Sequence, residues 1–521
     1  MWDSLKCYYR LHPLKTILII GLFFRLIAAV YSKGYAFTDD HYFVIEEAQQ
    51  WISQGNQERD FFHPNIFTKD RLSHGSLYTS AHYVLFQIYR SLGFIDPMAV
   101  MFTVRILHAF YSLLVILLGY KIARLLGSQR TAIQISWILA LAWFMPFLSV
   151  RNLVEMACIP PLMAASYFVL KNDRKWLFWA GILASVAFAL RFQTILFSGM
   201  FGIILLYRFR WREALWLLGS FLLGCLIFLG LLDFILFGTP FYELVSYIAY
   251  NATHSGEYPN GPWYQYILVI MGMFLLLPAG NWLYAIIRKF KTYAVLLFPT
   301  LLFLAFHSAF PNKQERFILP VIPFVIILGV SAWSDVQNTL KSKRWNAISN
   351  RIFWILNIPL LLLLSLASTR TAKMEAMYFL FKQNDAKHFV IESTHRDYME
   401  YMPRFYGDFW EPYQHILPNC ASSCFMDSVE KGVHPFPDYI LFFDSDKLDQ
   451  RVSILQEEIS IEPVITIYSS WLDRLIPKLN PIVKSQEIFI YRVKDKKRKS
   501  PTTTSTTAIE AAATAKASKA T

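Results

Sequence analysis

The chain has 521 residues, of which 55% are hydrophobic and 17% aromatic, and a mean hydropathy of +0.35, far more apolar than a soluble domain of that length. Most of it must sit in lipid. The formal net charge of +13 is dealt out in short clusters between apolar runs and not gathered on one face, which excludes a nucleic-acid surface and leaves a topology signal.

The first apolar run, 14–31, follows Lys6, Arg10 and Lys15. It resembles the start of a secretory signal, but no small-residue cleavage site follows, so it reads as a retained first span. After it, 40–54 sets Tyr42, Phe43, Ile45, Ala48 and Ile52 against Glu46, Glu47, Gln49 and Gln50, and 76–92 is interrupted by His82, Gln87 and Arg90. Both read as interfacial helices of a first external loop. Further spans are expected at 101–120, 131–150, 152–170, 175–190, 192–208, 213–237, 264–287, 293–309, 317–335 and 352–368, the longest of them sufficient to cross ~30 Å of hydrocarbon. This register puts Lys121/Arg124/Arg130, Lys171/Arg174/Lys175, Arg208/Arg210/Arg212, Arg288/Lys289/Lys291 and Lys341/Lys343/Arg344/Arg351 on the inner side, as the positive-inside rule requires.

Beyond 368 the pattern changes to short apolar strands, at 387–393, 438–445, 462–470 and 487–495, with polar stretches between them. The expected fold is an all-α polytopic membrane protein of about eleven crossings (1–368), followed by a small extracytoplasmic α/β domain (369–495) and a disordered tail (496–521). Cys7, Cys158 and Cys225 lie in or near membrane segments. Cys420 and Cys424 make a poor zinc site without further Cys or paired His, and could be a disulfide or two free thiols.

The inner loops follow from Lys and Arg alone, so where the other polar residues fall is partly independent of that assignment. They collect outside: Asp39 and Asp40 after the first span, Arg151 and Glu155, Arg191 and Gln193, the loop 238–263, and Asn312, Lys313, Gln314, Glu315 and Arg316. Charged groups at a membrane edge are costly unless paired or used, so five such sets point to a functional site. Asp39 or Asp40 could cap a helix N-terminus or act as the general base for an acceptor hydroxyl. Arg151, Arg191, Lys313 and Arg316 could snorkel or pair, Arg151 with Glu155 one turn on. Together they could instead clamp a lipid phosphate, whose oxygens match the Arg fork. In 251–266 the aromatic residues, Trp263 and Tyr264 among them, suit an interfacial belt or a sugar platform. Asn251-Ala-Thr253 is a glycosylation sequon too close to the membrane for ready use, and His254 reads as a loop residue.

These motifs resemble the GT-C superfamily α-mannosyltransferases that act on GPI anchors and lipid-linked oligosaccharides. AFPNKQERFILPVIP (309–323) is similar to that family's H-K-E-x-R-F-x-x-P-x-x-P segment, and FTDDHYFVIEEA (37–48) to its H-P-D-E start, with a further Glu at Glu46. ALRFQT (189–194) and the segment ending in Trp263 and Tyr264 are also similar. Phe37-Thr38, Asn312 and Gln314 depart from the family's His-Pro, His and Glu. The resemblance implies a polyprenyl-phosphate sugar donor, with mannose the sugar, and inversion at the anomeric carbon. It makes Asp39 the base, aligns Asp40 with the family Glu, and has Arg191, Lys313 and Arg316 neutralise the departing phosphate, with Arg151 a further cation. Glu46, Glu155, Gln193, Trp263, Tyr264, Asn312 and Glu315 are the expected substrate contacts. The acceptor would be a glycan or glycolipid. Arg and Lys can handle the phosphate alone, so no metal or other cofactor is expected. Other readings are a GT-C transferase of arabinose, glucose or an aminosugar, a catalytically dead scaffold, and a lipid or solute transporter. A transporter should carry its polar groups near the midplane. A bacterial inner membrane is favoured over the endoplasmic reticulum by the motif departures.

Overall fold

The computed structural model describes residues 2–53, 75–254, 260–337, 343–383, 385–392, 401–408, 413–416, 429, 431–479 and 487–496. Every segment expected to cross is helical. Among the described residues, six helices are long and apolar enough to cross by themselves: Pro13–Tyr31, Pro97–Leu126, Val154–Lys171, Trp211–Phe237, Glu315–Gln337 and Ala347–Ser365. The expected span 264–287 is two helices bent by 117°, because Leu275 and Leu276 both take positive φ just ahead of Pro278, which cannot continue the preceding turn. Counted as one span, that pair makes seven. Gln129–Leu141, Arg174–Leu190 and Ala294–Ala309 have 13, 17 and 16 residues, which at 1.5 Å per residue reach about 20–25 Å, short of ~30 Å.

Two helices form the centre of the bundle. The apolar windows of Glu315–Gln337 and Val154–Lys171 are 78% and 72% buried, against 22–44% in the other four. Their N-terminal ends carry Arg316 and Glu155, so the site is built on the most enclosed part of the fold. Buried Arg25, inside the first span, is a polar residue the hydropathy pattern hides. It donates to Ala140 O at 3.0 Å and Leu139 O at 3.2 Å, taking up carbonyls that the end of Gln129–Leu141 leaves without helical partners, and to Ser112 Oγ at 3.0 Å, where Pro97–Leu126 breaks.

The first-loop segments expected to lie in the interface are helical: a short α-turn Thr38–Asp40, a π-turn His41–Glu46, and helices Glu47–Ser53 and Ser76–Ser91. After helix Thr371–Lys382 comes a five-stranded sheet of β1 (Phe389–Glu392), β2 (Gln414–Ile416), β3 (Tyr439–Phe443), β4 (Ile459–Ile467) and β5 (Ile488–Lys496). Its order is β2-β1-β3-β5-β4, parallel across β2, β1 and β3 and antiparallel for β5 and β4. Four strands fall where the alternating pattern put them. β2 has three residues, too short for a period-2 signal. Cys420, Cys424 and the tail from 497 lie outside the described residues.

The C-terminal part is tied to the first loop where Gly34 pairs with Thr369. Gly34 has φ +74°, and a Cβ there would stand 1.9 Å from Thr369 O. Gly34→Ala is therefore expected to cost about 1–3 kcal/mol from the left-handed backbone alone. Thermal unfolding of the purified protein in detergent checks this, and an unchanged midpoint would contradict it.

Candidate active site

The site begins where the chain leaves the first span. Asp39 and Asp40 sit on the α-turn Thr38–Asp40, whose N-cap is Phe37, and neither side chain caps its own helix. Both carboxylates go to Arg316. Its Nη2 reaches Asp39 Oδ2, and its Nη1 lies 2.5 Å from Asp40 Oδ2. The Nε donates to Gln314 Oε1 at 2.8 Å, and the guanidinium lies 4.8 Å from the Phe37 ring centre. Such a fork fixes the relative position of two loops 276 residues apart in sequence.

The two acids differ in what remains to them. Asp40 is buried; its Oδ1 accepts Val154 N–H at 2.9 Å, at the start of the central helix, so both carboxylate oxygens are occupied. Asp39 keeps 34% side-chain exposure and lines a cleft with Arg191, Gln193, Tyr247, Asn251 and Arg316. Arg191 Nη1 lies 2.8 Å from Glu155 Oε1, and Arg316 Nε lies 3.7 Å from the same oxygen. The Nε and Nη2 of Arg191 are buried with no hydrogen-bond partner among the described residues. Three carboxylates thus face two guanidiniums, and Arg191 keeps buried donors from which a ligand oxygen can accept.

Asp40 is pushed up to about 7, first by burial and then by the Glu155 charge, with Arg316 and the Val154 N–H pulling the other way. An acid raised on folding contributes stability that is present below its unfolded value and lost as pH rises through its folded one. His82, buried and pushed down to about 3, acts with the opposite sign below about pH 6.5. The loss runs from the ordinary carboxyl value, about 4, to the folded value, about 7; His82 is common to both proteins, so across that range the wild-type melting temperature should fall relative to that of Asp40→Asn. Parallel slopes in the two proteins would contradict it.

The remaining expected residues divide. Gln193 and Asn312 line the cleft, and Gln193 Nε2 donates to Tyr247 OH. Arg151 does not join the cluster or pair with Glu155. It donates to Lys33 O at 3.2 Å, Gly34 O at 3.4 Å and Ala367 O at 3.3 Å. Lys313 donates to His307 O at 3.1 Å and Ser308 O at 2.9 Å, and to Phe310 O, so its charge serves the C-terminal end of helix Ala294–Ala309. Glu46 Oε1 accepts Phe405 N–H at 3.4 Å, away from the cleft. Trp263 and Tyr264 are 67% and 45% exposed, and they and exposed Glu315 are not among the cleft-lining residues.

Part of the wall is not singled out by sequence: Tyr247 and Tyr250 of helix Tyr242–His254, with Phe192 and Phe317; Asn251 stands out there only as part of a sequon and Gln314 only as one of a polar set. A signal was present, since 247, 250 and 251 stand at i, i+3 and i+4 and share one helix face.

Residues 16–398 match the sequence model of the Alg9-like mannosyltransferase family. The chain belongs to that family. It is an integral, multi-pass membrane glycosyltransferase. The mannosyltransferase APTG1 of Arabidopsis thaliana is 23% identical over 414 residues, 70% of each chain. Among solved structures, ArnT from Cupriavidus metallidurans bound to undecaprenyl phosphate superposes with a TM-score of 0.60 at 14% identity, over 91% of this chain and 97% of that one. Its apo form gives 0.54 at 13%. This likeness shows the fold, the GT-C architecture, here in an Alg9-like mannosyltransferase.

Proposed function

We propose that this family member moves a mannosyl residue from a polyprenyl-phosphate donor to a hydroxyl of a lipid-linked or surface glycan, inverting the anomeric carbon. One observation carries the reading: a partly open carboxylate, Asp39, shares a cleft with a buried guanidinium, Arg191, that has donors to spare. Asp39 takes the acceptor hydroxyl proton as the oxygen bonds to C1, and the C1–O bond to phosphate breaks with its electron pair leaving on the phosphate. Arg191 and Arg316 receive that charge, the kind of preorganised stabilisation that often dominates catalysis. Tyr247, Tyr250 and Phe317 supply aromatic lining against which a sugar can pack, and Gln193 and Asn251 offer hydrogen bonds. Asp40 holds Arg316, while Arg151 and Lys313 hold the loops that carry the cluster. The ArnT structure holds a polyprenyl phosphate on the same fold, which supports a lipid-phosphate donor. In this reading the cleft opens on the extracytoplasmic face of a bacterial inner membrane, the side to which the positive-inside rule assigns the first loop.

Membranes carrying the protein should incorporate label from polyprenyl-phosphate [14C]mannose into glycan, and none from GDP-[14C]mannose when donor-lipid synthesis is blocked. Incorporation from the nucleotide sugar alone would overturn the donor assignment.

A further inference from the structure

The turn that follows the carboxylate pair is a π-turn, His41–Glu46. Residues five apart lie about 140° apart around an α-helix, but a π-turn closes i to i+5 and stacks them on one face, a local cost often met at functional sites. His41 Nε2 and Glu46 Oε1 are thereby 3.4 Å apart. The His41 ring lies between two near-parallel tyrosines, Tyr35 at 4.7 Å and 15° and Tyr406 at 5.6 Å and 10°. Tyr406 belongs to the short turn Arg404–Tyr406 in the C-terminal part, and the neighbouring Phe405 N–H donates to Glu46 Oε1 at 3.4 Å. The other end of the segment is fixed as well, because Thr369 Oγ1 donates to Tyr35 O at 2.9 Å. Val44, Ile45 and Ala48 share one buried apolar cluster with Met377, Phe405 and Tyr406. His41, Glu46 and Tyr406 are not among the residues lining the cleft, so whatever they contribute reaches the reaction through the backbone of Asp39 and Asp40.

We infer that the His41–Glu46 pair docked on Tyr406 is a latch by which the C-terminal part of the chain positions the Asp39 carboxylate. His41, Glu46 and Tyr406 are positioning residues and touch no substrate. The latch stores the π-turn in place: without the Tyr406 face, the turn is free to rewind toward an α-helix, which swings Glu46 away from His41 and rotates Asp39 relative to Arg316. As a catalytic device this rests on the transfer reaction proposed above, with Asp39 as base.

The test uses the full-length protein in detergent, as wild type, Tyr406→Leu and Tyr406→Phe. The Tyr406 hydroxyl is buried without a hydrogen-bond partner among the described residues, so Phe keeps the stacked face and gives up no hydrogen bond. Amide exchange in peptides spanning 35–46 should rise about tenfold in Tyr406→Leu and return to wild type in Tyr406→Phe. With polyprenyl-phosphate mannose as donor, kcat should fall at least about tenfold in Tyr406→Leu while the donor KM stays within about twofold, and Phe should restore kcat. Glu46→Gln keeps the shape and removes the charge of the pair; should Tyr406→Leu fail to fold, it is expected to show the same pattern at about threefold. Wild-type exchange and kcat in Tyr406→Leu would overturn the latch, as would a loss that Phe does not rescue. If the wild type transfers nothing from this donor, the proposed reaction fails, and the exchange readout still decides whether the latch holds the turn.

Discussion

Asp39→Asn is expected to lower kcat for transfer by about 10²–10⁴-fold, the usual contribution of a positioned general base, while melting temperature and donor KM stay close to wild type. Asparagine is isosteric and its amide oxygen can still accept from Arg316 Nη2, so the clamp between Asp39 and the 312–316 loop survives. Because Asp39 is 34% exposed and Arg316 keeps Asp40 as a buried partner, little stability depends on its charge. Asp40→Asn should behave in the opposite way. Its two oxygens are committed to Val154 N–H and Arg316, so the change acts first on stability and on the aim of Arg316, and on rate only through them. A loss of kcat at Asp40→Asn equal to that at Asp39→Asn, with both proteins stable, would move the base to Asp40.

The second large effect is expected at Arg191. Arg191→Gln removes the guanidinium with unpartnered donors, and loss of one such charge-stabilising contact should reduce kcat by about 10²–10³-fold and raise the donor KM. It also leaves Glu155, fully buried, with Arg316 at 3.7 Å as its nearest cation. Breaking a buried pair from one side costs about 3–5 kcal/mol, so the single variant should melt early. Arg191→Gln combined with Glu155→Gln removes both charges and should regain most of the stability without regaining transfer. Activity that returns with stability in the double variant would make Arg191 a structural partner of Glu155 and nothing more.

Much of the fold could be read from apolar run length and the alternation of basic clusters, and four of the five strands from period-2 patterning. The bend inside 264–287 had a marker in Pro278, but two left-handed leucines are set by tertiary packing that no run length reveals. Asp39, Asp40, Glu155, Arg191 and Arg316 could be picked out because charges at span edges need a reason. Their pairing could not. Local spacing favoured Arg151 with Glu155 at i, i+4, yet the Glu155 partner is Arg191, and Arg151 turns instead to three backbone carbonyls around Gly34 and Ala367. Lys313 looked like a phosphate ligand for the same cause, that sequence shows a cation but not the helix end it caps. Gln314 had a meaning that only geometry supplies. It stands where the resembling family carries Glu, and its amide oxygen holds Arg316 Nε without adding a fourth negative charge to a cluster of three. The cleft wall from helix Tyr242–His254 was legible in its i, i+3, i+4 spacing, whereas the exposed Trp263 and Tyr264 drew attention as aromatic residues beside polar ones.

The most direct test of the central claim is a single-turnover reaction of the purified protein with polyprenyl-phosphate [14C]mannose and a membrane glycan extract, comparing wild type with Asp39→Asn. The account predicts that wild type moves label into glycan and releases polyprenyl phosphate in equal amounts, and that Asp39→Asn binds the donor with unchanged affinity and turns over about 10³-fold more slowly. Equal rates in the two proteins, or label that stays on the lipid with wild type, would contradict it.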